Sequence, residues 1–248
     1  MLSYQHIYHA GNGADVHKHI WLIRVLQGLR KMGKPLLWLD THGGRGLYDL
    51  GAPEAQKLGE YREGYLKFRE QKQREKNLPD EVKTYFTLVD QVNKKRKGFY
   101  PGSALIAASL LSPKDKLIAC DMHKGEVEHL KRALQKFAQA RVLKESGYDI
   151  LTREIPPPPG CAGGVLIDPS YEVKTEYGQV AEAVVEAHNR WTAGVFLIWY
   201  PILKAGNHKD MVATLSALPK AQVDEVLFRD PASEGKGMAG SGMIVIGA

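Results

Sequence analysis

The sequence predicts an α/β fold: a Rossmann-like, seven-stranded sheet carrying a helical insertion. Seven short apolar runs, several of them rich in β-branched side chains, alternate with helical stretches along the chain. The first run, Lys34 to Asp40, closes on the turn Thr41-His42-Gly43-Gly44-Arg45-Gly46, and glycines let a backbone come close to a ligand. Three of the runs end in a carboxylate, Asp40, Asp121 and Asp168, at the strand ends where open α/β sheets bind their ligands.

Composition narrows the classes. The 248 residues suit one α/β domain with an insertion, or two small domains, and 44% hydrophobic residues suit an ordinary soluble core. No apolar run approaches the roughly 20 residues that span a bilayer. The N-terminus lacks a basic start followed by an apolar stretch, so no signal peptide is expected. Two cysteines far apart, Cys120 and Cys161, indicate a reducing compartment. A cytoplasmic protein follows, and a monomer is expected. A net charge of +6 and a pI near 9.1 favour an anionic partner.

Residues 1–19 hold four of the nine histidines, His6, His9, His17 and His19. Neither a cysteine pair nor a His-Glu-x-x-His accompanies them, so no metal site is expected. Asn12 or Asp15 is placed to cap a helix over residues 16–32, with Ile20, Ile23, Leu26 and Leu29 on one buried face. The glycine turn after the first strand has no Gly-Lys-Ser/Thr and no full Gly-x-Gly-x-x-Gly, which excludes a phosphate loop and a dinucleotide fingerprint.

Residues 53–100 break the alternation. They consist of helix formers between Pro53 and Pro101, with a helix start at Pro79-Asp80-Glu81. Twelve Lys/Arg against eight Asp/Glu give this segment 12 − 8 = +4, most of the excess charge. Its densest cluster is Lys94-Lys95-Arg96-Lys97, read either as a solvated helix face or as a lid that contacts phosphates. Residues 1–52 and 101–248 would form the core around this insertion. Tyr100-Pro101-Gly102-Ser103 leads into an apolar helix. Lys116 to Asp121 is a second strand whose terminal carboxylate can accept both hydroxyls of a ribose. Further strands follow at residues 141–144, 164–167, 195–201, 225–228 and 241–246, and the last two are joined without a helix.

Asp168-Pro169-Ser170-Tyr171 closes the fourth long strand. It is either a plain turn or a site, and as a site it resembles the catalytic motif of methyltransferases acting on exocyclic amines of bases. Asp168 and the Pro169 carbonyl can accept hydrogen bonds from such an amine, and Tyr171 can stack on a base taken out of its helix. The glycine turn resembles the S-adenosylmethionine-binding motif of class I methyltransferases. Four stretches together resemble the RlmJ family of 23S ribosomal RNA adenine-N6 methyltransferases: Tyr4-x-His6-x-x-His9-Ala10-Gly11-Asn12-x-Ala14-Asp15-x-x-Lys18-His19, the Asp40–Gly46 turn, Tyr100-Pro101-Gly102-Ser103 and Trp199-Tyr200-Pro201.

That resemblance implies a class I sheet with S-adenosyl-L-methionine as cofactor and 23S ribosomal RNA as partner. It implies cofactor contacts from Lys18, His19, Asp40, His42, Gly44, Gly46, Ser103, Asp121, Ser146 and Gly147. It places Asp168, Pro169 and Tyr171 at the chemistry, and Tyr4, His6 and the Lys94–Lys97 cluster on the substrate. The chain departs from the family pattern at Ser170, where a second proline is usual, at Asp121, where the family can carry Glu, and at Ser146, where it tends to carry Asp. The competing readings are a DNA amino-methyltransferase or DNA-handling protein, and a non-enzymatic nucleic-acid-binding protein.

Overall fold

The computed structural model describes residues 4–232 and 237–247, so Met1 to Ser3 of the N-terminal segment lie outside it. Helix α1 (Gly13–Arg30) leads into β1 (Leu36–Asp40). A two-stranded ribbon, β2 (Leu47–Asp49) with β3 (Phe99–Pro101), brackets helices α2 (Pro53–Leu58), α3 (Lys67–Lys72) and α4 (Asp80–Lys95) and a π-helical turn at Arg62–Leu66. Alternation then resumes: α5 (Ser103–Leu110), β4 (Lys116–Cys120), α6 (Lys124–Leu134), β5 (Ala140–Leu143), α7 (Gly147–Glu154), β6 (Ala162–Ile167), α8 (Glu176–Arg190), β7 (Val195–Ile202) and α9 (Lys209–Ser216). Strands β8 (Ala221–Leu227) and β9 (Gly240–Ile246) end the chain as an antiparallel pair.

The sheet has seven strands in the order β5-β4-β1-β6-β7-β9-β8. The β1, β4, β5, β6 and β7 strands are parallel, and β9 runs against both β7 and β8. This is a class I methyltransferase sheet. The order reverses between β4 and β6 on either side of β1, the switch point at which such sheets open a crevice.

Period-two alternation explains the two cores. Trp38, Leu117, Leu166, Leu197 and Val245 face the side covered by α1 and α5, while Leu39, Ile118, Val165, Ile198 and Ile244 face α8 and α9. The central strands are buried on both faces, which is why they read as continuous apolar runs.

Helix α1 departs from the expected single apolar face. Asn12 caps it, its side chain accepting Asp15 N–H at 2.9 Å. Its buried residues go almost round the helix, from Ala14 through His19 and from Leu22 to Leu29, and Ile20 is only half-buried. The helix lies between α4 and α5 on one side and strands β6, β7 and β9 on the other, so little of it meets solvent. Three pieces are not expected from the sequence: the β2–β3 ribbon and the short helices α7 and α9.

Candidate active site

The carboxyl ends of β1, β4 and β6 open into a cavity of about 400 Å³, closed on the other side by the N-terminal segment. Asp168 follows β6 directly. Its Oδ2 lies 2.5 Å from Lys18 Nζ, which also meets Asp15 Oδ1 at 3.0 Å. Both Asp15 oxygens accept from His6 Nε2, at 3.0 and 2.9 Å, and Oδ2 accepts Gly11 N–H at 2.8 Å. His6 Nδ1 lies 2.9 Å from the Tyr4 hydroxyl. Tyr4, His6, Asp15, Lys18 and Asp168 thus form one continuous chain along a wall of the cavity.

Charge explains why this chain persists in a buried site. Burial alone would strip Lys18 of its proton, but Asp168 and Asp15 hold the ammonium above the ordinary lysine range. Burial works against the Asp15 charge too, yet His6 and Lys18 keep its carboxyl well below the usual carboxylate range. Burial pushes the Asp168 carboxyl up, with Lys18 pulling the other way. The result is a paired carboxylate with more proton affinity than a solvated one.

The opposite wall is built from backbone. Gly44 adopts the left-handed conformation, φ +54°, and donates its N–H to Asp121 Oδ2 at 3.1 Å. Asp121 Oδ1 accepts His123 N–H at 2.8 Å, so the carboxylate is fixed and still has lone pairs to offer. Gly147 sits so close to β1 that a Cβ would stand 2.5 Å from the Thr41 carbonyl oxygen. Ser146, Met122 and Tyr148 complete this side, and the Tyr148 hydroxyl is buried with no hydrogen-bond partner among the described residues.

Between the walls lie three groups whose charged forms burial disfavours: two histidines held neutral, and a carboxyl raised above the ordinary range. His19, hydrogen-bonded at Nδ1 to Tyr100 Oη at 3.0 Å, is pushed down to about 3. His42, beside the Thr41 hydroxyl at 2.8 Å, is pushed down to about 4. Asp40 is pushed up to about 6, although the Ser103 hydroxyl donates to its Oδ2 at 2.7 Å.

Most residues singled out in the sequence line this cavity: Tyr4, His6, Lys18, His19, His42, Gly44, Ser103, Asp121, Ser146, Gly147, Asp168, Pro169 and Tyr171. Asp40 sits beneath it, behind Ser103. Gly46 is not in the lining. It packs on α6, where a Cβ would meet Leu130 at 2.8 Å, so its role is backbone approach rather than ligand contact. Lys94, Lys95, Arg96 and Lys97 are exposed at the carboxyl end of α4, and none lines the cavity.

Tyr171 is placed differently from a free stacking surface. It is only 6% exposed, its hydroxyl donates to the Trp199 carbonyl at 2.8 Å, and its ring already stacks on Tyr177 at 4.3 Å. Its φ of +53° is a strained conformation for a tyrosine. The N–H bond to Glu176 Oε2 at 2.7 Å helps to hold it there. Sequence reasoning misses Asp15 as a member of the charged chain, and Tyr148 and Met122 as cavity walls. It also misses the rim formed by His9 and Glu60, 3.0 Å apart, and the half-buried Trp199. Asp15, His9 and Trp199 stand inside the family motifs, which is a signal of a kind; Glu60, Met122 and Tyr148 carry none.

The family described as "Ribosomal RNA large subunit methyltransferase D, RlmJ" matches residues 33–248. The chain belongs to the RlmJ family. It is 38% identical over 248 residues to the ribosomal RNA large subunit methyltransferase J of Escherichia coli K12, covering 99% of this chain and 87% of that one. It is 35% identical over 249 residues to the protein of the same name from Haemophilus influenzae, with the same coverage. A crystal structure of a protein from Legionella pneumophila strain Philadelphia 1 superposes with a TM-score of 0.86 at 32% identity, covering 96% of this chain and 86% of that one.

A class I methyltransferase family implies S-adenosylmethionine, and the residues present fit it. The cavity is within the ordinary size for a cofactor site. Asp121 keeps acceptor capacity for ribose hydroxyls, and the exposed Met122, the Tyr148 ring and its unpartnered hydroxyl suit an adenine. Among the described residues, no three His, Cys, Asp or Glu side chains group as a metal site, and no helix is long and apolar enough to cross a membrane.

Proposed function

We propose that this RlmJ-family chain methylates N6 of an adenine in 23S ribosomal RNA, using S-adenosylmethionine. One observation carries the reading. A largely buried carboxylate at a strand end, Asp168, shares a single cavity with the glycine turn and Asp121, so an acceptor amine and a nucleoside cofactor have adjoining places. Bound there, S-adenosylmethionine supplies a methyl group already activated on its sulfonium. The protein's task is then alignment and proton management rather than activation.

Asp168 holds the amine through the oxygen that Lys18 does not occupy, and the Pro169 carbonyl offers a second acceptor. An exocyclic amine gains a positive charge as it takes the methyl group. Asp168, kept ionised by Lys18 and raised in proton affinity by burial, stabilises that charge and then receives the proton. Tyr171, locked by Trp199, Tyr177 and Glu176, holds the loop that presents Pro169. Tyr4 and His6 cover the substrate side. The insertion, residues 53–100, brings Lys94, Lys95, Arg96 and Lys97 to the RNA backbone as phosphate contacts. The setting is cytoplasmic, where ribosomal RNA is found.

The test is to incubate the purified chain with labelled S-adenosylmethionine and large-subunit ribosomal RNA, protein-free and in particles, and to map the labelled nucleoside. The expected product is N6-methyladenine at one position. Label on DNA instead, or on no nucleic acid at all, overturns the proposal.

A further inference from the structure

Three successive residues of α1, His17, Lys18 and His19, enter three separate hydrogen-bond networks. Lys18 and His19 belong to the cavity already described. His17 points away from it, yet its network returns to the cavity through Trp199. The Trp199 indole Nε1 lies 2.9 Å from Ser241 Oγ, and Ser241 Oγ lies 2.9 Å from His17 Nδ1. His17 Nε2 lies 3.2 Å from Asp224 Oδ2, and the same oxygen accepts Trp21 Nε1–H at 2.6 Å.

The direction of every bond is determined. An indole nitrogen can only donate, so Ser241 accepts from Trp199 and has its own proton to give to His17 Nδ1. A carboxylate can only accept, so the His17 proton sits on Nε2 and points at Asp224. Burial favours this neutral imidazole by lowering His17 below the ordinary histidine range. Although the order Ser241–His17–Asp224 resembles a nucleophile triad, Ser241 is 0% exposed and has no access to a substrate. The relay therefore ends at Trp199, the only member that lines the cavity.

Trp199 stands where an acceptor base must lie. The ammonium of Lys18, bonded to Asp168, is 5.7 Å from its ring centroid, and the Tyr171 ring is 6.1 Å away and tilted by 52°. Of the other tyrosines in the lining, Tyr171 is nearly buried and already stacked on Tyr177, Tyr48 is buried, Tyr4 is already stacked on His9 at 5.8 Å, and Tyr148 lies beside Asp121 and Met122. We propose that Trp199 is the surface on which the extrahelical adenine stacks, and that the Ser241–His17–Asp224 relay is the positioning device that fixes the plane of its indole. This inference rests on the proposed methylation of an RNA adenine. Holding one rotamer of a large ring by a chain of bonds whose centre, Ser241 and His17, is buried gives a base one orientation to adopt, which alignment at the amine requires.

The experiment compares W199A, W199F, S241A, H17F and H17Q with the unmodified chain. Three quantities are read: kcat/KM for RNA, affinity for S-adenosylhomocysteine by calorimetry, and melting temperature. W199A should lose roughly 5- to 150-fold in kcat/KM, the equivalent of one stacked base. W199F keeps a ring without the N–H and should lose less. S241A and H17F should lower kcat/KM several-fold with cofactor affinity unchanged. H17Q, whose amide both accepts and donates, should recover most of that loss. W199A with normal kcat/KM overturns the inference. So does a parallel fall in cofactor affinity, or equal losses in H17F and H17Q, since either would indicate packing alone.

Fluorescence separates this inference from the functional reading. Trp199 emission, taken as the difference between the unmodified chain and W199F, should be quenched by an oligonucleotide with an unpaired adenine in the presence of S-adenosylhomocysteine. An inactive chain whose Trp199 is still quenched overturns the function and supports the stacking surface. An active chain whose Trp199 is not quenched overturns the stacking surface and leaves the function standing.

Discussion

The two walls of the cavity are made on opposite principles. On the wall proposed for the acceptor the members are ionisable side chains held by one another: Tyr4, His6, Asp15, Lys18 and Asp168. On the wall proposed for the cofactor the shape comes from absent side chains. Gly44 turns in the left-handed region, and Gly147 lies against the Thr41 carbonyl where no Cβ fits. Chemistry that moves a proton needs charges whose positions and protonation are settled beforehand. A cofactor that only has to be held still needs backbone donors and room. A substitution on the first wall should therefore change rate, and one on the second should change affinity.

The largest effect expected is on rate. Asp168→Asn keeps the shape and an acceptor for Lys18 but removes the base, so single-turnover methylation should fall roughly 10²- to 10⁴-fold. Affinity for S-adenosylhomocysteine should be little changed. Near-normal turnover would remove Asp168 from the chemistry. The complementary substitution is Gly147→Ala. A Cβ 2.5 Å from Thr41 O and 2.6 Å from Thr41 Cβ forces the start of α7 away from β1. Such overpacking costs about 1–3 kcal/mol, so cofactor affinity should fall roughly tenfold or more. The rate at saturating cofactor should change far less. If each variant moved the same parameter, the contrast between the walls would fail.

The legible parts of the site are those marked by short-range chemistry. Asp40, Asp121 and Asp168 each close a run of strand residues, and a carboxylate at a strand end is visible in a single line of sequence. Lys18 is expected on the cofactor, and its bond to Asp168 spans 150 positions that no local pattern connects. Gly46 looks like its neighbour Gly44, and only the packing of α6 separates them. Tyr171 reads from residue type as a free ring, and its burial depends on Tyr177 and Trp199 arriving from elsewhere. Helices α7 and α9 have eight residues each, and the β2 and β3 strands three each. Elements that short carry too few periods to register against tertiary packing.

A smaller effect is expected far from either wall. Lys94, Lys95, Arg96 and Lys97 are exposed outside the cavity, so neutralising all four should leave turnover at saturating RNA intact and weaken RNA binding. The log–log salt dependence of binding should flatten by somewhat under one unit for each phosphate no longer neutralised. An unchanged slope would make the cluster a solvated helix end.

The smallest effect concerns a buried carboxylate near the cavity that, among the described residues, no cation partners directly. Asp40 is 1% exposed, its Oδ2 accepts from Ser103, and its Oδ1 has no hydrogen-bond partner among the described residues. Burial pushes it up to about 6, against an ordinary value of 3.8. A carboxyl raised on folding binds its proton more tightly in the native state, so its contribution favours folding in acid. That contribution is complete below about pH 4 and is lost as pH rises to about 6. Asp40→Asn keeps an acceptor for Ser103 and never ionises. Its stability should match that of the unmodified chain below pH 4 and exceed it above pH 6. The difference is bounded by the shift from 3.8 to about 6, about 3 kcal/mol at 1.36 kcal/mol per unit. Urea unfolding of the cofactor-free protein from pH 4 to 8 measures it. Two stability curves that run parallel across that range would mean that Asp40 is compensated after all, and that the floor between the two walls carries no unpaired charge.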